Sequence, residues 1–201
     1  MTDSLRGFGV DIVKEREIAC RVQSSIEGFY GIERVADVAD YVQHGAGREQ
    51  LLVREAEDGA VEMRLELPKI EGGLDGVCQI IEGVSHFVYV STRASQDRAT
   101  TALEMEIQAE VDKWVVLAGD IERLDVERSA HLRERLYERV DYLHVGELEE
   151  RYRIANRTAL RLVRRLERTH VANRRFDALR NELHAFFRSG QEEKLRHCDK
   201  R

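Results

Sequence analysis

The side chains of this sequence best placed to do chemistry lie between Gln79 and Asp112. Gln79, Glu82, His86, Tyr89 and Arg93 follow one another at intervals of three, four, three and four, which aligns them on one face of an α-helix. Their neighbours Val77, Cys78, Ile80, Ile81, Val84, Phe87, Val88 and Val90 are apolar. A carboxylate, an imidazole and a guanidinium in such company are costly to bury unless they pair with each other or with groups facing them. The first expectation is therefore a polar network of Gln79, Glu82, His86, Tyr89 and Arg93 that sets the register of a helical bundle.

The next segment offers partners for that stripe. Glu104, Gln108 and Asp112 share one helical line, and Glu106, Glu110 and Lys113 another. If the two segments form an antiparallel hairpin, carboxylates face Glu82 and His86. Carboxylates with an imidazole inside a bundle are the donor set of a di-iron or di-manganese centre, so Glu82, His86, Glu106 and Glu110 form the candidate metal set, with iron or manganese as the ion. The spacing departs from the familiar pattern, because Glu82 and His86 are four apart, not three. Glycine-rich phosphate loops, HExxH, GxSxG and EF-hand patterns are absent. The expectation apart from that metal set is no cofactor.

A second constellation is basic. Arg153, Arg157, Arg161, Arg164 and Arg168 fall on one helical face, opposite Ala155, Ala159, Leu162 and Leu166. The net charge of −6 conceals a division, with 12 Lys+Arg against 23 Asp+Glu in residues 1–120 and 20 against 15 in residues 121–201. The arginine face is thus expected to meet the acidic half of its own chain or an acidic partner protein. It lacks interleaved aromatics and any recognition-helix signature, so nucleic acid is not the expected partner.

The elements that must hold these groups are mostly helical. Apolar spacing from about Asp11 to Gln43, interrupted at Gly28 and Gly31, predicts two helices. The period then becomes two: Leu51–Ala56 and Ala60–Leu67 flank Asp58-Gly59, which predicts a β-hairpin with a two-residue turn. That turn would set Glu55 against Glu62, a like-charge pair that disfavours its own register. After Pro68 and Gly72-Gly73, residues 74–94 predict a buried central helix, with a third strand as the alternative for 84–91. Thr101-Ala-Leu-Glu104 has the form of a capping box and opens the next helix. Three more follow, over about 126–144, 147–170 and 172–188, and residues 189–201 read as a frayed charged tail.

These elements predict a single domain of the α+β class, mostly α: a helical pair with a hairpin over 1–70 and a bundle over 74–188. Neither a signal peptide nor a run of about 18 apolar residues is seen, and Cys20, Cys78 and Cys198 are widely spaced, so a cytoplasmic protein with reduced thiols is expected. The functional expectation is a non-enzymatic binding or regulatory module that associates with itself or with another protein. The alternative is a helical enzyme that binds a metal or small ligand at Glu82 and His86.

Overall fold

The computed structural model describes residues 12–55, 61–70, 72–119, 124–138 and 146–199. Within them lie helices α1 (Val13–Tyr30), α2 (Gly73–Ala94), α3 (Ala102–Ala118), α4 (Val126–Arg133), α5 (Glu147–Leu166), α6 (Phe176–Arg188) and α7 (Gln191–Asp199), and strands β1 (Val42–His44), β2 (Gln50–Glu55) and β3 (Val61–Leu67). The class is α+β, mostly α. No helix among the described residues is long and apolar enough to cross a membrane.

Helix α2 is the buried centre, with Ile80, Ile81, Val84 and Tyr89 fully enclosed, and residues 84–91 are helical, not a strand. It lies against α1, α3 and the sheet. Helix α3 starts where its capping signal falls, since the Thr101 hydroxyl accepts the Glu104 amide at 3.1 Å. The Glu104 carboxylate does not return to close the box, because it is engaged by α2 instead. Helices α4 and α5 each run on into a π-helical turn, Glu134–Glu138 and Glu167–Val171.

Three expectations change. First, the N-terminal segment holds one helix, which passes through Gly28 and ends at Gly31, whose φ of 59° supplies the left-handed cap. The expected second helix is a 3₁₀ turn at Val38–Asp40 followed by β1. Its apolar residues are divided between environments: Val38 and Val42 are buried, whereas Val35 is exposed. The Gln23 side chain binds this connection to α1, donating to the Ala36 carbonyl at 2.6 Å and accepting the Val38 amide at 2.9 Å. Second, the hairpin is part of a three-stranded sheet of order β1-β3-β2, with β1 parallel to β3.

The hairpin register also differs by one residue from that of a two-residue turn. Arg54, not Glu55, stands opposite Glu62, and their side chains pair at 2.7 Å. The like-charge contact is replaced by an opposite-charge one. The Asp58-Gly59 turn itself lies outside the described residues. Third, the expected frayed tail contains α7, anchored by Lys194, whose ammonium is fully buried and donates to Gln108 Oε1 at 2.6 Å and to the Phe186 carbonyl at 2.7 Å.

Gly83 lets the sheet approach the central helix. A Cβ there would lie 2.8 Å from Leu65 Cδ1, 3.3 Å from Leu67 Cδ2 and 3.5 Å from Glu49 Cβ. The inner face of β3 thus lies directly on α2, and Glu49, just before β2, is carried to the polar stripe.

Candidate functional site

Helices α2 and α3 form a tightly packed hairpin whose shared seam is polar along much of its length. The predicted stripe divides into separate networks. Gln79 remains within its own helix, donating to Asp75 at 2.6 Å. Glu82 and His86 meet the Glu106–Glu110–Lys113 line of α3. Tyr89 and Arg93 meet Glu104 at the other end of the seam.

In the first network the Lys113 ammonium lies 2.6 Å from Glu82 Oε2 and 2.9 Å from Glu110 Oε1. Glu49 hydrogen-bonds to Glu82 through its carboxyl group. His86 Nε2 faces Glu106 Oε2 at 3.4 Å, and Arg151, at the start of α5, reaches Glu106 Oε1 at 3.5 Å. The Tyr137 hydroxyl donates to the Glu110 carbonyl at 2.8 Å. All four residues of the candidate metal set are therefore in one cluster, joined by Glu49, Lys113 and Arg151. Glu49 Oε2, His86 Nε2 and Arg151 Nε are buried without a hydrogen-bond partner. As the side chains stand, no three His, Cys, Asp or Glu donors among the described residues are arranged to hold a metal ion.

Electrostatics divide the carboxyls. Burial, and then the charge of Glu82 beside it, push the Glu49 carboxyl up to about 9, so it keeps its proton at neutral pH. Burial acts on Glu82 in the same sense, yet Lys113 and His86 outweigh it and hold Glu82 down at about 2. Burial likewise raises Glu110, and it raises the Cys78 thiol to about 11. Burial opposes the charged forms of His86 and Lys113, but Glu106 for the first and Glu110 with Glu82 for the second reverse the balance, so both titrate above their ordinary values. The result is a protonated Glu49 bonded to an ionised Glu82, which is itself paired with an ammonium.

The remaining seam is closed by other elements. Arg93 donates to Glu104 at 2.5 Å, to the Tyr89 hydroxyl at 2.5 Å and to the Ser189 carbonyl at 2.6 Å. Asp112 accepts from Tyr30 of α1 and Ser85 of α2, each at 2.6 Å, and from Gln108 at 2.8 Å. Gln108 in turn accepts the Lys194 ammonium. Each set draws its partners from at least two elements, and Arg93 Nε is left buried without a hydrogen-bond partner.

Arg153, Arg157, Arg161, Arg164 and Arg168 are all exposed, the first four on α5 and Arg168 in the π-helical turn that continues it. Arg153 pairs with Glu149 at 2.6 Å and Arg164 with Glu138 at 2.9 Å, both carboxylates of the same C-terminal half. Arg151, which lies off this row, pairs with Glu106 of the acidic half. The buried Arg165 pairs with Glu182 at 2.5 Å, and His170 with the same carboxylate at 2.7 Å.

Spacing alone did not identify Glu49, Arg151 or Lys194 as members of these networks. Glu49 belongs to a short irregular connection without periodicity, and Lys194 is a buried lysine in a charged helix, so neither leaves an apolar pattern. No protein-family model, curated protein or solved structure matches this chain.

Proposed function

We propose that this chain is a non-enzymatic binding and regulatory module, which docks an acidic segment of a partner protein on the arginine face of α5 and associates with itself through the free edge of β2. The observation that supports the first part is the exposure of all five guanidiniums along one face. From residue 153 to 168 a helix rises roughly 22 Å, long enough to meet a partner segment over several turns. Arginine suits this role because its planar fork engages carboxylates with two parallel hydrogen bonds. Self-association has a separate support. Among the described residues β2 pairs with β3 alone, so its outer edge offers unpaired backbone groups to another strand, and a second copy supplies an identical edge.

The test is fluorescence anisotropy with a labelled oligoglutamate peptide and, in parallel, a labelled RNA of equal charge, across a salt series. Binding of the peptide that weakens with salt is expected. Replacing Arg157, Arg161 and Arg164 with glutamine should reduce its affinity about tenfold, since three exposed pairs at about 0.5 kcal/mol each make about 1.5 kcal/mol and a factor of ten is about 1.4 kcal/mol. Equal peptide binding by the triple variant overturns the assignment, and preference for the RNA transfers the face to nucleic acid. Sedimentation over a wide concentration range tests self-association, which a monomer at every concentration would exclude.

A further inference from the structure

The cluster around Glu82 is not explained by a docking role for α5. Four carboxyl groups, Glu49, Glu82, Glu106 and Glu110, lie in one cluster with His86, carried there by α2, α3 and the connection before β2, and all five side chains are buried. Register between two helices needs far less than this. The contacts within the cluster are also unequal. Lys113 is held closely between Glu82 and Glu110, whereas His86 and Glu106 stand 3.4 Å apart and Arg151 and Glu106 3.5 Å apart. His86 Nε2 is left with no hydrogen-bond partner in surroundings from which water is largely excluded, its facing carboxylate oxygen standing 3.4 Å away. Buried polar atoms in that condition call for a group to satisfy them.

We propose that this cluster is a site for a divalent cation of the manganese, iron or zinc class, and that the Lys113 ammonium is its internal stand-in. An ammonium between two carboxylates occupies the place and supplies part of the charge of a metal ion. Held there, it engages Glu82 and Glu110, and no three donors of the cluster are arranged around a common point. Withdrawal of Lys113 on its flexible four-carbon stem frees Glu82 and Glu110. Glu82, His86, Glu106 and Glu110 then provide three carboxylates and one imidazole, and Glu49 a further oxygen. Hard oxygens with one borderline nitrogen suit manganese, iron and zinc. The exchange is a ligand substitution and requires no oxidant or reductant. It is independent of the arginine face, so either proposal can fail without the other.

Equilibrium dialysis of the full chain against manganese(II), anaerobic iron(II) and zinc(II), each at a fixed neutral pH with elemental analysis, provides the test. At least one of the three is expected to bind at one or two equivalents. His86→Ala and the nearly isosteric Glu106→Gln should each weaken that binding by at least the roughly tenfold effect that even an outer-sphere partner commands. Lys113→Met, which removes the competitor, should bind more tightly than the wild type and gain more in Tm from the added ion. Circular dichroism establishes that each variant is folded. Failure of the wild type to bind any of the three ions overturns the proposal. Binding that is unchanged in folded Glu106→Gln also overturns it, because the ion is then elsewhere. Binding that Lys113→Met weakens removes the stand-in role.

Discussion

Replacing Gly83 with alanine tests whether close approach of the sheet to α2 controls both the fold and the site. The change has two opposed effects. In a helix interior, alanine is favoured over glycine by about 0.5–1 kcal/mol. Against this, the new Cβ falls 2.8 Å from Leu65 Cδ1 and 3.3 Å from Leu67 Cδ2, both on side chains with no exposed surface. Those methyls have nowhere to swing, and overpacking of this kind costs about 1–3 kcal/mol. The net expectation is a loss of about 1–2 kcal/mol. Gly28→Ala supplies the control, since that glycine is also helical but its Cβ would have nothing within 4 Å. It should stabilise by about 0.5–1 kcal/mol, the helix preference alone. Urea unfolding of both variants, followed by helical circular dichroism, measures the difference as a shift of midpoint at constant slope. Equal stabilisation by the two substitutions would refute the close packing of β3 on α2.

Three further outcomes follow from the polar seam. Glu49 binds its proton more tightly in the folded chain, so its contribution is fully present below about pH 4.5 and is lost as pH rises toward about 9; at about 1.4 kcal/mol per pH unit, a rise from 4.5 to about 9 sets a ceiling on the order of 6 kcal/mol. His86, also raised, acts in the same direction, so the test is the difference between wild type and Glu49→Gln in urea midpoints from pH 5 to 9, and parallel pH profiles would remove Glu49 as the protonated partner. Glu104→Ala leaves the buried Arg93 without its carboxylate and should destabilise by about 3–5 kcal/mol in thermal or urea unfolding; a loss below 1 kcal/mol would show that the Ser189 carbonyl alone suffices. Lys194→Met strips Gln108 and the Phe186 carbonyl of a donor, at about 1–3 kcal/mol, and should increase amide exchange in α7 before other helices; unchanged exchange there would argue against the anchor.

What could be read from the sequence depended on whether an element advertises its buried face with apolar side chains. Helix α2 does so along its whole length, and the β3 alternation of Met63, Leu65 and Leu67 with Glu62, Arg64 and Glu66 does so at period two. Helix α7 does the reverse, because its buried residue is a lysine. Val38 and Val42 have helical spacing in a segment that forms a turn and a strand, since local spacing cannot register that β3 offers a free edge 23 residues further on. The same limit applies to the site. Facing lines on α2 and α3 bring Glu82 and His86 to Glu106 and Glu110, whereas Glu49 arrives only through the sheet and Arg151 only through α5.

The distribution of partners identifies α3, not α2, as the helix on which the polar interior is organised. Its Glu104 is met by Arg93 and Tyr89 of α2, its Gln108 and Asp112 by α1, α2 and α7, and its Glu106, Glu110 and Lys113 by α2 and α5. Successive lines of one helix are thus each closed by a different set of neighbours. A helix packed only by apolar contact can rotate by a fraction of a turn and still bury similar area, but α3 cannot rotate without breaking pairs on all sides at once. Such breakage costs several kcal/mol per unpaired buried charge. This constraint places Glu106 and Glu110 against Glu82 and His86 irrespective of what the cluster binds. It also explains why the His86–Glu106 contact stays long: α3 cannot turn to shorten it without pulling Glu104 from Arg93 and Asp112 from Tyr30.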